Sequence, residues 1–300
     1  MNANNIRDQM KVWILGGGGG QLGIAVAELC QKLKIPFVSS VRKETDITDL
    51  EQLQFQCGLL QPTHIINCAA FTDVDGAEKQ SETAYAVNAK GPENLGRLGL
   101  EFPVKVVHVS TDYVFDGEQN APYSETDRPN PLGIYGKSKY EGELRLLNDL
   151  PTACIVRSSW IFSHIGKNFI SSVLSLLQNQ PHIKAVSDQI NRATYSHDLA
   201  QALVDLSSSS GIFHFANEKP LSRYQIVQDF YSEAKKRGFP IKCEKISSIS
   251  SSAFPSLSPR PPYSVLDTHK VERTLGRKPR MWETVLGDYL NRVSISKHPF

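Results

Sequence analysis

The 300-residue chain carries 33 lysines and arginines against 31 acidic residues, a formal net charge of +2. That balance leaves no basic footprint for nucleic acid, and the length suffices for a large core, as one domain or as two closely joined lobes. Its five cysteines form no CxxC pair and are odd in number, and no apolar stretch reaches signal-peptide or membrane-span length, so the expectation is a cytoplasmic protein with no membrane or nucleic-acid partner.

Val12-Trp13-Ile14-Leu15 is a short apolar run of the kind a buried parallel strand shows. It enters five consecutive glycines, Gly16 to Gly20, then Gln21-Leu22-Gly23 and a helical pattern. Strand, glycine loop and helix are the arrangement that cradles a pyrophosphate on backbone N–H groups. Glycines 17, 20 and 23 give a G-x-x-G-x-x-G spacing: Gly17 for the tight turn, Gly20 for close approach of phosphate, Gly23 for packing of helix on strand. No Gly-Lys-Ser/Thr follows, which excludes a nucleoside-triphosphate loop. The plain alternative is a flexible turn, but five glycines in a row cost folding entropy.

Pro36 to Val41 is the next strand, ending in Arg42-Lys43. A site for an unphosphorylated ribose would carry an acid there; two cations suit a 2′-phosphate, although ordinary surface charges would look the same. NADPH is therefore the expected cofactor, with NADH open. Asp46-Ile47-Thr48-Asp49 caps a helix reaching about Leu60. His64 to Cys68 is a third strand and delivers Ala69, Ala70, Phe71 and Thr72 to the crevice, where small residues let a ribose or adenine lie close. A long helix is predicted from about Ser81 to Leu100.

The apolar strand Val104–Val109 places the Thr111 hydroxyl at its carboxyl end, which faces the ligand crevice of an open parallel sheet. If Ile134 to Leu147 is helical, Tyr135 and Lys139 lie on one face. A nearby cation favours phenolate and would lower the tyrosine pKa. Hydroxyl, phenol and ammonium together suit reversible carbonyl–alcohol chemistry, in which a proton reaches oxygen as hydride reaches carbon. Tyr-x3-Lys also arises by chance, the plain alternative being a helix surface with a buried tyrosine.

Ala153–Arg157 is a further strand, followed by Ser158-Ser159-Trp160-Ile161-Phe162, whose aromatics could wall a pocket or simply fill core. Helices are predicted at Asn168–Leu177, Asp198–Leu206 and Tyr224–Arg237, the last capped by Ser222. Residues 186–194 read as a polar loop, Ile212–Phe215 as a strand that could rejoin the first sheet, and 247–262 as a long serine- and proline-rich loop. Tyr263–Asp267 and an amphipathic Trp282–Leu290 close the chain. The eight histidines are scattered, and no metal-ligand cluster is visible in the sequence. Alternating strand and helix predict an α/β fold, a Rossmann-like doubly wound parallel sheet with a smaller mixed α/β substrate-binding lobe. The expected division is a dinucleotide-binding domain over 1–157, with 196–217 returning to it, and a substrate lobe over 158–195 and 218–300.

Taken together, these motifs resemble the extended short-chain dehydrogenase/reductase family over nearly the whole chain, from Val12 to about Leu290. The resemblance is carried by Gly17-x-x-Gly20-Gln21-Leu22-Gly23, Asp46-Ile47-Thr48-Asp49, Asn67-Cys68-Ala69-Ala70-Phe71-Thr72-Asp73-Val74-Asp75 and Ala86-Val87-Asn88-Ala89. It continues through Ser110-Thr111-Asp112-Tyr113-Val114-Phe115-Asp116-Gly117, Tyr135-Gly136-Lys137-Ser138-Lys139, Arg157-Ser158-Ser159-Trp160, Asp188-Gln189 and Arg260-Pro261-Pro262-Tyr263-Ser264-Val265-Leu266-Asp267. It implies reduction by NAD(P)H of the 4-keto group of a nucleotide-sugar, dTDP-4-dehydro-L-rhamnose, supplying a surface polysaccharide. Tyr135 would donate the proton, Lys139 would bind the nicotinamide ribose and hold the tyrosine pKa down, and Thr111 would orient the carbonyl. Gly17, Gly20, Gln21 and Leu22 would hold the pyrophosphate, Asp46 and Ile47 the adenine, and Ala69, Ala70 and Thr72 the ribose side. Asp112, Tyr113 and Trp160 would meet the sugar, and Asp188, Gln189, Thr194 and Arg260 the rest of the nucleotide-sugar.

The chain departs from the family pattern in three places. The glycine loop lacks the usual threonine and alanine. The Asp-Gln-x-Gly-x-Pro-Thr loop reads Asp188-Gln189-Ile190-Asn191-Arg192-Ala193-Thr194, and Ser-Trp-Tyr-Glu reads Ser222-Arg223-Tyr224-Gln225. The last two put the exact sugar in doubt, so another nucleotide-linked 4-keto-6-deoxyhexose stays open. So does a non-catalytic NADP-binding subunit, like the regulatory partner of methionine adenosyltransferase, which could lose Tyr135 or Lys139 without penalty; this chain keeps both. Some members bind magnesium through acidic residues at a dimer interface. A homodimer stays open as an expectation, those acids have no placed counterpart here, and no metal is assigned.

Overall fold

Residues 9–166 and 168–295 are described in a computed structural model of the chain. The polar stretch at 1–8, Lys167 and residues 296–300 lie outside those described. Six parallel strands form the central sheet: β1 Val12–Leu15, β2 Phe37–Ser40, β3 His64–Asn67, β4 Lys105–Thr111, β5 Cys154–Ser158 and, from much later in the chain, β10 Gly211–His214. Their spatial order is β2-β1-β3-β4-β5-β10, so the chain reverses direction at β1, which pairs with β2 on one side and β3 on the other. That reversal opens a crevice above the carboxyl ends of β1 and β3, the place where open α/β sheets take ligands.

The period of two along each strand sorts the core onto two faces. Trp13, Leu15, Ile65, Val106 and Ile155 point to one face, where they pack with Leu95 and Leu98 of α5 (Gly91–Glu101) and Leu146 of α6 (Ile134–Asp149). Ile14, Ile66, Val107 and Val156 point to the other, against Val26 of α1 (Gln21–Leu33) and Leu199 and Leu203 of α8 (Ser196–Asp205). Helix α2, Leu50–Leu60, starts where Asp49 accepts the Gln52 N–H, so Asp49 is the capping member of the predicted quartet. The long helix expected from Ser81 is interrupted. After α3 (Val74–Lys79), α4 (Ser81–Tyr85) leads into a π-helical turn over Ala86–Lys90 before α5.

A third core joins α7 (Phe169–Asn179), α9 (Arg223–Lys236) and α11 (Trp282–Ile295) through Val173, Leu177, Ile226, Phe230, Val285 and Tyr289. Around it lie short two-stranded sheets: β6 (Ile161–Phe162) with β9 (Thr194–Tyr195), β8 (Ile190–Asn191) with β11 (Leu221–Ser222), and β7 (His182–Val186) with β12 (Lys245–Ile249). The 186–194 stretch is therefore not wholly loop, and the long loop expected from Ser247 begins as strand, because β12 runs parallel to β7 with Lys245 opposite His182 and Ile249 opposite Val186. A short helix, α10 (His269–Leu275), precedes α11. Among the described residues no helix is long and apolar enough to cross a membrane.

Candidate active site

The glycine loop turns at Gly16, whose φ of +76° lies in the left-handed region. A Cβ there would come within 2.8 Å of Ala69, which places Ala69 beneath the loop. The tight turn expected of Gly17 thus belongs to its neighbour; Gly17 instead lies so close to β2 that a Cβ would sit 2.1 Å from Ser39 Oγ. Gly23 performs the packing predicted for it, since its Cβ would fall 2.4 Å from Gly17 Cα. Helix α1 then begins at Gly20 with no side-chain cap and no acid in its first turn. Its first amides and dipole are left for an incoming anion, which is the fit a dinucleotide pyrophosphate requires. Gly20, Gln21, Leu22 and Gly23 line a cavity of about 520 Å³ that also reaches Ala70 and Thr72. Gln21 Nε2 donates to the Ile161 carbonyl at 2.9 Å, while its Oε1 is buried without a partner.

Other positions expected at the cofactor lie outside this cavity. Arg42 is an exposed side chain whose Nε donates to Asp46 Oδ2 at 3.1 Å, and Asp46 also takes the Thr48 N–H and hydroxyl. The Ile47 side chain is buried in the sheet core, and its carbonyl accepts from Asn94 Nδ2 at 3.0 Å.

Across the cavity stand Thr111, Tyr135 and Lys139. Thr111 ends β4, and α6 carries the other two on one face. Helix α6 is held to β5 by a buried, bidentate ion pair, Glu143 with Arg157, at 2.6 and 2.9 Å. Burial pushes the Tyr135 phenol well above the ordinary tyrosine value, the neighbouring Thr111 hydroxyl pulling against it and the nearby Asp112 and Tyr113 adding to it. The lowering expected from Lys139 is not what this geometry gives. The ammonium is turned away, donating to the Val109 carbonyl at 2.6 Å and lying 3.3 Å from His108 Nε2. Burial draws it down to about 8, against the opposite pulls of Glu143 and Cys68. His108 is kept neutral by burial and then by Lys139. Asn67 accepts the Ala69 N–H through Oδ1, so its Nδ2 faces His108 Nδ1 at 3.0 Å, and the imidazole stands between this amide and Lys139.

Asp112 and Trp160 share this cavity. Asp112 is fully buried, and burial lifts its carboxyl to about 6 despite hydrogen bonds from Ser264, Asn191 and Thr111. Both Asn191 Nδ2 and Ser264 Oγ donate to Oδ2 at 2.7 Å. Trp160 holds φ +41°, a strained conformation for a bulky residue of the kind that clusters at ligand sites. Tyr113 stands edge-on to Tyr135, ring centres 5.7 Å apart, with the Arg260 guanidinium 5.9 Å over its ring. Gln189 and Arg260 line a second cavity of about 430 Å³, and Phe169 borders both. Asp188 is occupied in capping the 250–252 turn, accepting from Ser250 Oγ and from Ser251. Thr194 is buried between strands, its Oγ1 accepting from Ser158 at 3.1 Å, and lines neither cavity.

Sequence reasoning gave no role to several residues that shape the site. Asn88 takes the Phe71 N–H and returns a bond to the Phe71 carbonyl and to Ser138 Oγ, pinning the loop after β3 to α6. Asn191 and Ser264 fix Asp112, and His108 faces Lys139. Asn88 lay within a quoted motif, and Asn191 within a noted departure; His108, inside an apolar strand, carried no signal. Folding also brings together Glu28, His164 and His197, whose ligating atoms lie within 4.8 Å of one another, a cluster the scattered sequence positions hid. His197 Nε2 already meets both Glu28 at 2.9 Å and the Arg292 guanidinium at 3.1 Å, so a cation is seated there.

Comparison with known proteins follows the same outline. Residues 10–295 match the family model described as RmlD substrate binding domain. A dTDP-4-dehydrorhamnose reductase of Aggregatibacter actinomycetemcomitans is 35% identical over 287 residues, covering 91% of this chain and 96% of that protein. The spore coat polysaccharide biosynthesis protein SpsK of Bacillus subtilis is 35% identical over 285 residues, covering 94% and 97%. The crystal structure of a Bacillus anthracis dTDP-4-dehydrorhamnose reductase in complex with NADP aligns with a TM-score of 0.88 at 31% identity, covering 94% of this chain and 99% of that one.

Proposed function

The chain belongs to the RmlD substrate-binding-domain family, and from that premise we propose that it is an NADPH-dependent reductase of the 4-keto group of dTDP-4-dehydro-L-rhamnose, the last step to dTDP-L-rhamnose. The observation that carries this reading is the convergence of Thr111, Tyr135 and Lys139 on one cavity whose opposite wall is the uncapped start of α1. The bound nicotinamide supplies hydride to the carbonyl carbon. Thr111 and Tyr135 hold the carbonyl oxygen between two hydroxyls, and Tyr135 donates the proton as the oxygen gains charge. A phenol kept protonated by burial is the form a reduction needs. Lys139 turns from the Val109 carbonyl toward the nicotinamide ribose and stabilises the phenolate left behind. Gly20, Gln21 and Leu22 take the pyrophosphate, Ala70 and Thr72 the ribose side, and Arg42 the 2′-phosphate. Asp112, Tyr113 and Trp160 grip the sugar. Residues 158–195 and 218–300 serve as the substrate lobe, with Gln189 and Arg260 toward the nucleotide.

A second sugar is favoured by one observation. A Streptomyces niveus relative named dTDP-4-keto-6-deoxy-D-glucose reductase is 33% identical over 278 residues, so the matching motifs tolerate a change of hexose. Purified protein supplied with NADPH and either keto-sugar tests both. Loss of the nicotinamide absorbance with dTDP-L-rhamnose as product is expected. Binding of NADPH without reduction of either sugar would overturn the reading.

A further inference from the structure

One departure from the family pattern has no part in the chemistry above: Arg223, where the family has tryptophan. It is the first residue of α9, directly after the cap Ser222. Its guanidinium lies against two aromatic rings, 4.6 Å from the centre of Trp160 and 4.7 Å from that of Phe169, and it acts electrostatically on the Tyr113 phenol. A guanidinium held against aromatic rings in this way still offers N–H donors to an anion. Trp160 and Phe169 face the catalytic cavity, while Phe169 and Arg223 face the second one. Arg223 therefore stands at the junction of the two.

The charges there do not balance. Of the other cations of the second cavity, Arg260 is paired with Asp75 at 3.1 Å and Lys184 is exposed on β7. Arg223 has no carboxylate within ion-pair distance among the described residues. Asp112, an acid that acts on it electrostatically, is committed to Asn191 and Ser264. A half-buried guanidinium held by aromatic rings and lacking a counter-charge fits a site whose anion arrives with the ligand. The second cavity has an apolar wall of Val173, Leu176, Ile183, Val227 and Ile249, with Lys184, Gln189, Ser251 and Ser256 among its polar lining.

We propose that Arg223 binds the diphosphate of the nucleotide-sugar at this junction, with the keto-sugar beside Tyr135 and the nucleoside in the second cavity. This rests on the reductase reading and adds to it a specificity-determining residue that the family pattern lacks. The diphosphate would place its charge where Arg223 and Arg260 both reach, tying ligand position to the substrate lobe.

The test compares binding of dTDP and of thymidine to the wild type and to Arg223→Gln, with NADPH affinity as the control for folding. Loss of a charge-assisted contact is expected to weaken dTDP by about ten- to hundredfold while thymidine, which lacks phosphate, is unaffected. In turnover the KM for the nucleotide-sugar should rise more than kcat falls. Arg223→Lys keeps the charge and should retain the preference for dTDP over thymidine; it serves as the decisive variant if the Gln protein loses NADPH binding. Equal losses for dTDP and thymidine would reduce Arg223 to a structural wall and overturn the inference, as would wild-type dTDP affinity in the Gln variant. A wild type that binds neither nucleotide would instead overturn the nucleotide-sugar reading itself.

Discussion

Asp112 shows how a single side chain records the demands of the site. It sits between the Thr111 hydroxyl and two donors, Asn191 and Ser264, in a place dry enough to lift its carboxyl to about 6. With the folded value above the unfolded one of about 4, the unfolded chain gives up its proton first as pH rises. Stability should therefore fall between about pH 4 and 6 and stay lower above it. In Asp112→Asn that slope should disappear, as followed by urea unfolding across the window; an unchanged slope would mean that another group titrates there. The donors that hold Asp112 were not legible in the sequence, because Asn191 and Ser264 lie 79 and 152 residues away along the chain. Tyr135 and Lys139 were legible because helical spacing alone puts them together. Their coupling was not, because the direction of the Lys139 ammonium depends on a carbonyl and an imidazole of another element.

At the level of elements, a local pattern fixed β1 to β5 and most helices, since apolar runs and capping residues need no distant partner to be recognised. The pair β7 and β12 escaped because β12 is only half-buried and its serines read as loop. The π-helical turn at Ala86–Lys90 escaped for a different reason. Its extra residue accompanies Asn88, whose side chain is spent on Phe71 and Ser138 rather than on its own helix. Asn88→Ala would strip partners from the Phe71 backbone N–H and carbonyl in the loop after β3, each worth about 1–3 kcal/mol when left unsatisfied. A lowered melting temperature together with weaker NADPH binding is expected from calorimetry and titration. Loss of stability with NADPH affinity intact would show that the loop keeps its shape without Asn88.

For the molecule as a whole, the site exists only because separate stretches of chain close over one sheet. The sheet supplies Thr111 and the glycine loop, α6 supplies the phenol and the ammonium, and the later segments supply Trp160, Asn191, Arg223 and Ser264. The fold class followed from strand–helix alternation, while the meeting of the two cavities at Phe169 depends on contacts that no local pattern encodes. The central claim, that this assembly reduces a keto-sugar through Tyr135, is tested most directly by turnover of wild type and Tyr135→Phe side by side with dTDP-4-dehydro-L-rhamnose, alongside NADPH titrations. The account predicts NADPH oxidation to dTDP-L-rhamnose by the wild type, a fall of roughly a hundredfold or more in the variant, and the same NADPH affinity in both. Wild-type turnover in the phenylalanine variant, or NADPH binding without turnover in the wild type, would contradict it.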